Sequence, residues 1–261
     1  MSSCLEVSRL TKSFAAPVLR DIQLRIKANS IHGLVGENGA GKSTFINIIC
    51  GLLDSDGGSV KLNGRNFKPK NRMQSLDQGV ALASQELSLI DNLSVAENIF
   101  LSTLPTKSYK IDDRALRKKA KELLDLVGLE QSLLEVPVGN LTLAERQLVE
   151  LAKSLSLPIV RTSLLILDEP TAALNSFQAD RLHNILFDRV KKGVSILYVS
   201  HRLEDVLFVC DEVSVLHEGE IKLTSDTDQL TSKALIEVMT GRELQRHRDN
   251  ESRVYGKVKL E

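Results

Sequence analysis

The chain contains no tryptophan, and aromatic residues make up only 4% of its 261 positions. Platforms that stack unpaired bases are therefore scarce, which argues against a single-stranded nucleic-acid binder. Charge of either sign is not in excess: 34 Lys and Arg face 34 Asp and Glu, for a formal net charge of zero. A balanced chain lacks the basic footprint expected of a protein whose main partner is DNA or RNA. Long apolar runs are missing too, none approaching the roughly 20 residues that cross a bilayer. The opening MSSCLEVSRL has neither the basic start nor the apolar stretch of a signal peptide. Cysteine is rare: Cys4, Cys50 and Cys210 are odd in number and widely separated, without metal-ligand spacing. A disulfide framework is excluded on that pattern, a reducing cytosol fits it, and the three thiols read as small buried hydrophobes. What remains is a 42% hydrophobic, 26% charged chain able to bury a substantial core in one or two domains.

LEVSRLTKSF and VLRDIQLRI alternate with period two and predict antiparallel strands. IHGLVG is an apolar strand running into a glycine turn and a helix, ENGAGKSTFINIICGLL. SVKLNG (59–64) and VALASQ (80–85) predict further strands. From about 91 the pattern turns helical, with Leu116, Ala120, Leu123, Leu124 and Val127 on one face and Leu148, Leu151, Ala152 and Leu155 on another. SLLILDEP then reads as a buried strand, SFQADRLHNILFDRVKKG as a helix and SILYVS as a strand. A hairpin around Glu218-Gly219 and a closing helix, SKALIEVMTG, follow. Strands alternating with helices imply an α/β class with a parallel sheet. The expected division is an α/β core over 1–90 and 160–225, a helical insertion over 91–159, a closing helix over 226–245 and a polar, disordered tail over 246–261.

Gly36 to Ser43, GENGAGKS, fits the G-x-x-x-x-G-K-[ST] phosphate-binding loop and sits after a strand and before a helix, as that loop must. Its residues are Gly36, Glu37, Asn38, Gly39, Ala40, Gly41, Lys42 and Ser43, with Thr44 next. Small residues let backbone N–H groups turn inward as an anion nest, backed by the positive helix end. Lys42 can reach β- and γ-phosphates, and Ser43 offers a hydroxyl to Mg²⁺. The second half of such a site is a buried strand ending in acid, which SLLILDEP supplies. Asp168 is the expected Mg²⁺ ligand, and Glu169 is placed to polarise a water as general base.

Other loop-bearing families fit less well. There is no Asn-Lys-x-Asp string of the kind that reads guanine, and no Arg-rich lid of small-molecule kinases. The whole set resembles the ATPases of ABC transporters, from about residue 5 to 243, and the resemblance implies a RecA-like P-loop NTPase core with an antiparallel β subdomain and an inserted helical subdomain. It also implies that Gln85 in ALASQELSLI is the Q-loop glutamine, a catalytic residue that contacts the metal. By the same resemblance AALN after DEPT is the D-loop, His201 in YVSHRLEDV is the switch histidine, and Phe14 stacks on adenine. His32, His183, His217 and His247 lack such context and receive no chemistry.

NLTLAERQ stands where that family carries Leu-Ser-Gly-Gly-Gln. Thr142 and Glu145 also form a capping box, and a helix start offers unpaired N–H donors and partial positive charge. Thr142 keeps a hydroxyl, and the amides of Leu143 and Ala144 do not depend on glycine, so the segment can grip a γ-phosphate. Glu145 replaces the usual glutamine and Asn175 the D-loop aspartate. ELSLIDNLSVAENIFL, RQLVELAKSL, SHRLEDV and MTGREL are similar to bacterial monosaccharide importers of the ribose, xylose and galactose class, which usually carry two such halves. The resemblance implies an ATPase binding Mg-ATP head-to-tail with a second half or copy, peripheral on the cytoplasmic membrane face. It further implies coupling to a transmembrane permease and, indirectly, to a sugar-binding protein outside, with no nucleic acid. The rivals are a non-hydrolysing regulatory half and a soluble ABC ATPase acting on nucleic acid or the ribosome.

Overall fold

The computed structural model describes residues 2–84, 88–101, 106–107, 110–111, 113–156, 162–172 and 174–241. Alternation in the first 27 residues produces β1 (Ser3–Ser13) and β2 (Pro17–Lys27), paired antiparallel. β3 (Ile31–Val35) leads into α1 (Lys42–Ile49), then β4 (Gly57–Leu62) and β5 (Arg65–Asn66). The outer sheet is antiparallel, ordered β2-β1-β4-β5. α2 (Arg72–Asp77), capped by Asn71, and the two-residue β5 are too short to show periodicity, and neither was expected.

β6 (Val80–Ala83) precedes α3 (Val95–Phe100), a small antiparallel pair β7 (Thr106–Lys107) and β8 (Lys110–Ile111), α4 (Asp113–Val127) and α5 (Leu143–Leu155). The β7–β8 pair interrupts the helical insertion expected over 91–159, where TKSYKI carries no 3.6-residue period. Chain order then gives β9 (Leu164–Asp168), α6 (Ser176–Lys191), β10 (Ser195–Val199), α7 (Leu203–Val209), β11 (Glu212–His217), β12 (Glu220–Asp226) and α8 (Ser232–Met239). The expected tail over 246–261 lies outside the described residues.

The central sheet runs β12-β11-β3-β10-β9-β6, parallel except for the β11–β12 hairpin. Its strands β3, β6, β9 and β10 are buried on both faces because both are covered, whereas the edge strand β12 alternates with exposed positions. Leu165, Leu167, Ile196 and Tyr198 pack with helices α3 to α7, whereas Leu164, Ile166, Leu197 and Val199 pack with α1 and the outer sheet. α3 to α5 add a layer built on Leu116, Ala120, Leu124, Val127, Leu148 and Ala152, the positions expected from helical spacing. Cys4, Cys50 and Cys210 are free and buried, as read.

His183 on α6 is 4% exposed, and neither ring nitrogen has a hydrogen-bond partner among the described residues. Burial pushes its pKa below the ordinary 6.5, against the pull of Asp205 and Asp180. Just below that pH the unfolded chain binds more protons here than the native state, so stability is lost as pH falls through this window. Urea melts should therefore show a smaller drop in midpoint between about pH 7.5 and 5.5 for His183→Leu than for the parent chain. An equal drop in both would remove His183 as the source.

Candidate functional site

β3 ends at Val35, and the loop 36–41 turns back under the end of β11 before α1 begins. Gly36 passes so close to β11 that an added Cβ would lie 2.2 Å from the Leu216 carbonyl oxygen. Gly41 caps α1 with φ at 111°, the left-handed region that other residues rarely adopt, and a Cβ there would strike Leu19 at 2.8 Å. The cap makes no side-chain hydrogen bond, and no acid stands in the first turn of α1. By contrast α2, α3, α5, α6 and α8 each have a side chain accepting from their first-turn amides. The donors at the start of α1 are thus left for an external anion.

Those donors open onto a cleft of about 800 Å³ lined by Gly36 to Gly39, Gly41 to Thr44, Asp168, Glu169 and His201, with Val18 and Met239 at its wall. Of the eight loop residues expected to bind nucleotide, Ala40 alone is not a lining residue; it is 5% exposed and packs inward. Lys42 Nζ donates to the carbonyls of Gly36 at 2.7 Å and Glu37 at 3.1 Å, holding the ammonium over the loop. Burial lowers its pKa, while Glu169 and Asp168 oppose that shift, which places two acids within electrostatic reach of the cation.

Parallel pairing of β9 with β10 sets Asp168 opposite Val199, so the residues just beyond, Glu169 and His201, meet. Glu169 adopts φ of 53°, a strained conformation for glutamate, and is 7% exposed. Its carboxylate accepts the backbone N–H of His201 at 3.1 Å and the Ser200 hydroxyl at 3.3 Å, and lies 2.8 Å from His201 Nδ1. The His201 side chain is 64% exposed towards the cleft. Thr171 of the same DEPT segment donates to Asp205 at 2.7 Å, tying it to α7. Ser200 and Asp205 were not picked out from sequence; a hydroxyl beside the histidine and an acid four residues after it were the available signals. Among the described residues no three His, Cys, Asp or Glu cluster as a metal cage. Ser43 and Asp168 on one cleft suit Mg²⁺, which commonly takes one or two protein ligands and completes its shell with water and phosphate.

Gln85 lies outside the described residues. Phe14 stands on the β1–β2 turn, 61% exposed, with Lys12 Nζ 5.6 Å from its ring centroid, and does not line the cleft. The Thr142 segment is elsewhere on the chain. Thr142 caps α5 in a complete capping box: its N–H and hydroxyl donate to Glu145 at 2.8 and 2.7 Å, and the Glu145 N–H donates back at 3.3 Å. Thr142 is exposed and Leu143 is 62% exposed, so this helix start faces away from its own core. Asn175 caps α6, accepting from the Gln178 N–H at 2.9 Å.

Residues 19–172 match the family described as ABC transporter. The chain is 34% identical to the ribose import ATP-binding protein RbsA of Lacticaseibacillus paracasei, over 98% of this chain and 51% of that protein. It is 33% identical to the galactose/methyl galactoside import ATP-binding protein MglA of Yersinia pestis, over 98% of this chain and 50% of that one. It therefore spans about half the length of these curated relatives. Among solved structures, a dimeric ATP-binding cassette in a post-hydrolysis state with ADP and phosphate superposes with a TM-score of 0.75 at 22% identity, over 85% of this chain and 98% of that chain. That likeness concerns the fold.

Proposed function

Because this chain belongs to the ABC transporter family, we propose that it is an ATP-hydrolysing half of a bacterial importer, powering monosaccharide uptake through a partner permease. One observation carries this reading. The cleft holds a phosphate loop, an acid for metal and a Glu169–His201 pair, while the helix start expected to complete the site points outward from the same chain. A single chain cannot close its own site. A second half or copy set head-to-tail would lay its Thr142 helix start over the cleft, and the two-fold arrangement closes on itself. Dimerisation of a cassette of the same fold supports this.

Bound Mg²⁺ would neutralise charge on the phosphates; Ser43 and Asp168 would hold it. Lys42 would leave the loop carbonyls for the phosphates. Glu169 would accept a proton from the attacking water, and His201 would steady that carboxylate from the exposed side. Amides of Leu143 and Ala144, which lack intrahelical acceptors by the geometry of any helix start, would donate across the interface. The chain would sit on the cytoplasmic membrane face, with a sugar-binding protein acting from outside. The importer names of the relatives support the sugar.

Phosphate release from Mg-ATP should rise faster than linearly with protein concentration, since two chains build each site. Glu145→Gln keeps the capping box and removes a negative charge from the side that meets the partner's phosphate. It should tighten ATP-dependent dimerisation up to about fivefold on sedimentation. Release no greater than that of Glu169→Gln at high protein concentration would leave only a nucleotide-binding regulatory half.

A further inference from the structure

Helix α7 departs from the capping pattern of its neighbours. In α3, α5 and α6 the third helical residue, Glu97, Glu145 or Gln178, turns its side chain back to accept the N–H of its own N-cap residue. Asp205 holds the same place in α7, but there the N-cap Arg202 side chain makes no cap bond, and the Asp205 carboxylate instead accepts the Thr171 hydroxyl at 2.7 Å. The Arg202 N–H donates to the Ser200 hydroxyl at 3.0 Å, and Ser200 in turn donates to Glu169. Thr171 is 1% exposed and lies two residues past Glu169, in a turn closed by the Ala172 N–H on the Glu169 carbonyl at 3.2 Å. That turn is therefore gripped at two points: Ser200 and His201 hold the Glu169 carboxylate, and Asp205 holds Thr171. Glu169 keeps a left-handed backbone, which persists only where its surroundings over-determine it.

We propose that Asp205 is a positioning residue for the Glu169 carboxylate, acting through the Thr171 hydroxyl. This rests on the reading of Glu169 as general base given above. Neither Thr171 nor Asp205 lines the nucleotide cleft, so neither is placed to touch a nucleotide held there. Their bond fixes the turn that follows Glu169, and with it the direction in which that side chain leaves the backbone. With both ends of the turn held, the carboxylate is oriented before nucleotide arrives, and no ordering is left for the moment of reaction. The role needs a hydroxyl donor at residue 171. Serine supplies one as well as threonine does, whereas valine has the shape of threonine without it.

The test uses the whole chain at high protein concentration, with single-turnover phosphate release from Mg-ATP and equilibrium binding of a fluorescent ATP analogue. Thr171→Val should slow release roughly 10–100-fold while analogue affinity stays within about twofold of the parent. Thr171→Ser should recover most of that loss. Asp205→Ala, at a half-buried position on the other side of the bond, should slow release to a similar degree, and it decides the matter if Thr171→Val does not fold. In a Glu169→Gln background neither change should slow the residual release further, because both act through the carboxylate already removed. A general structural defect would persist there. Release at the parent rate, a loss that persists in the Glu169→Gln background, or a matching fall in analogue affinity would overturn the positioning role. If Glu169→Gln itself releases phosphate as fast as the parent, the general-base reading falls first. That outcome is distinct from a chain in which Glu169→Gln is slow and Thr171→Val is not.

Discussion

Glu169→Gln lowers ATP turnover by roughly 10²–10⁴-fold, the usual contribution of a positioned general base, and leaves nucleotide affinity within about threefold. The split follows from the geometry. Gln is isosteric and can still accept the His201 N–H with its oxygen while its amide faces Ser200 and His201 Nδ1, so the strained backbone at residue 169 keeps its contacts. Basicity is what disappears. On the proposed reading, binding rests on the loop amides, Lys42 and the open start of α1, none of which the substitution touches. Closure without hydrolysis should also accumulate the ATP-bound dimer, since nothing remains to release it. Single-turnover phosphate release and equilibrium binding of the same preparation check both halves of the result. Turnover near that of the parent would remove Glu169 from the chemistry.

Gly36→Ala is expected to damage binding and stability together. Its Cβ would meet the Leu216 carbonyl oxygen at 2.2 Å, and that atom belongs to the main chain of β11, which is paired on both sides and cannot step aside. Overpacking of this kind costs about 1–3 kcal/mol, a fall in Tm of roughly 2–12 °C for a chain of this size. Relief comes most easily by lifting the loop, which misplaces the amides that face the cleft, so affinity for nucleotide should fall at least about tenfold. Gly58→Ala provides the contrast. There a Cβ would lie 2.3 Å from the Arg9 carbonyl, at a position with φ of 86° away from the cleft, so Tm should fall while nucleotide affinity holds. Equal affinity losses in the two variants would show that general destabilisation, and not the loop, governs binding.

The glycine-rich turn before α1 was legible because it is encoded locally. GENGAGKS carries its own turn, amides and lysine within eight residues, and the strand and helix flanking it follow from apolar patterning. Asp168 and Glu169 were legible for the same reason, at the end of SLLILD. The capping box at Thr142 and Glu145 formed as its spacing required. His201 was reached through family resemblance, because nothing in YVSH states which acid it will meet. The 2.8 Å contact with Glu169 exists only because β9 and β10 pair parallel in one register; a slip of one residue would turn those side chains to the other face.

By itself the sequence determined the glycine-rich turn before α1, the acids at the end of β9 and the alternation of strands and helices, since each depends on residue types within a short window. Tertiary structure alone decided that Thr142 faces outward, that Phe14 stands off the cleft wall, and that Thr171 is held by Asp205 thirty-four residues away. Backbone dihedrals and hydrogen-bond donors are encoded locally. Which side chains meet across strands and helices is set by register and packing, and those are summed over the whole chain.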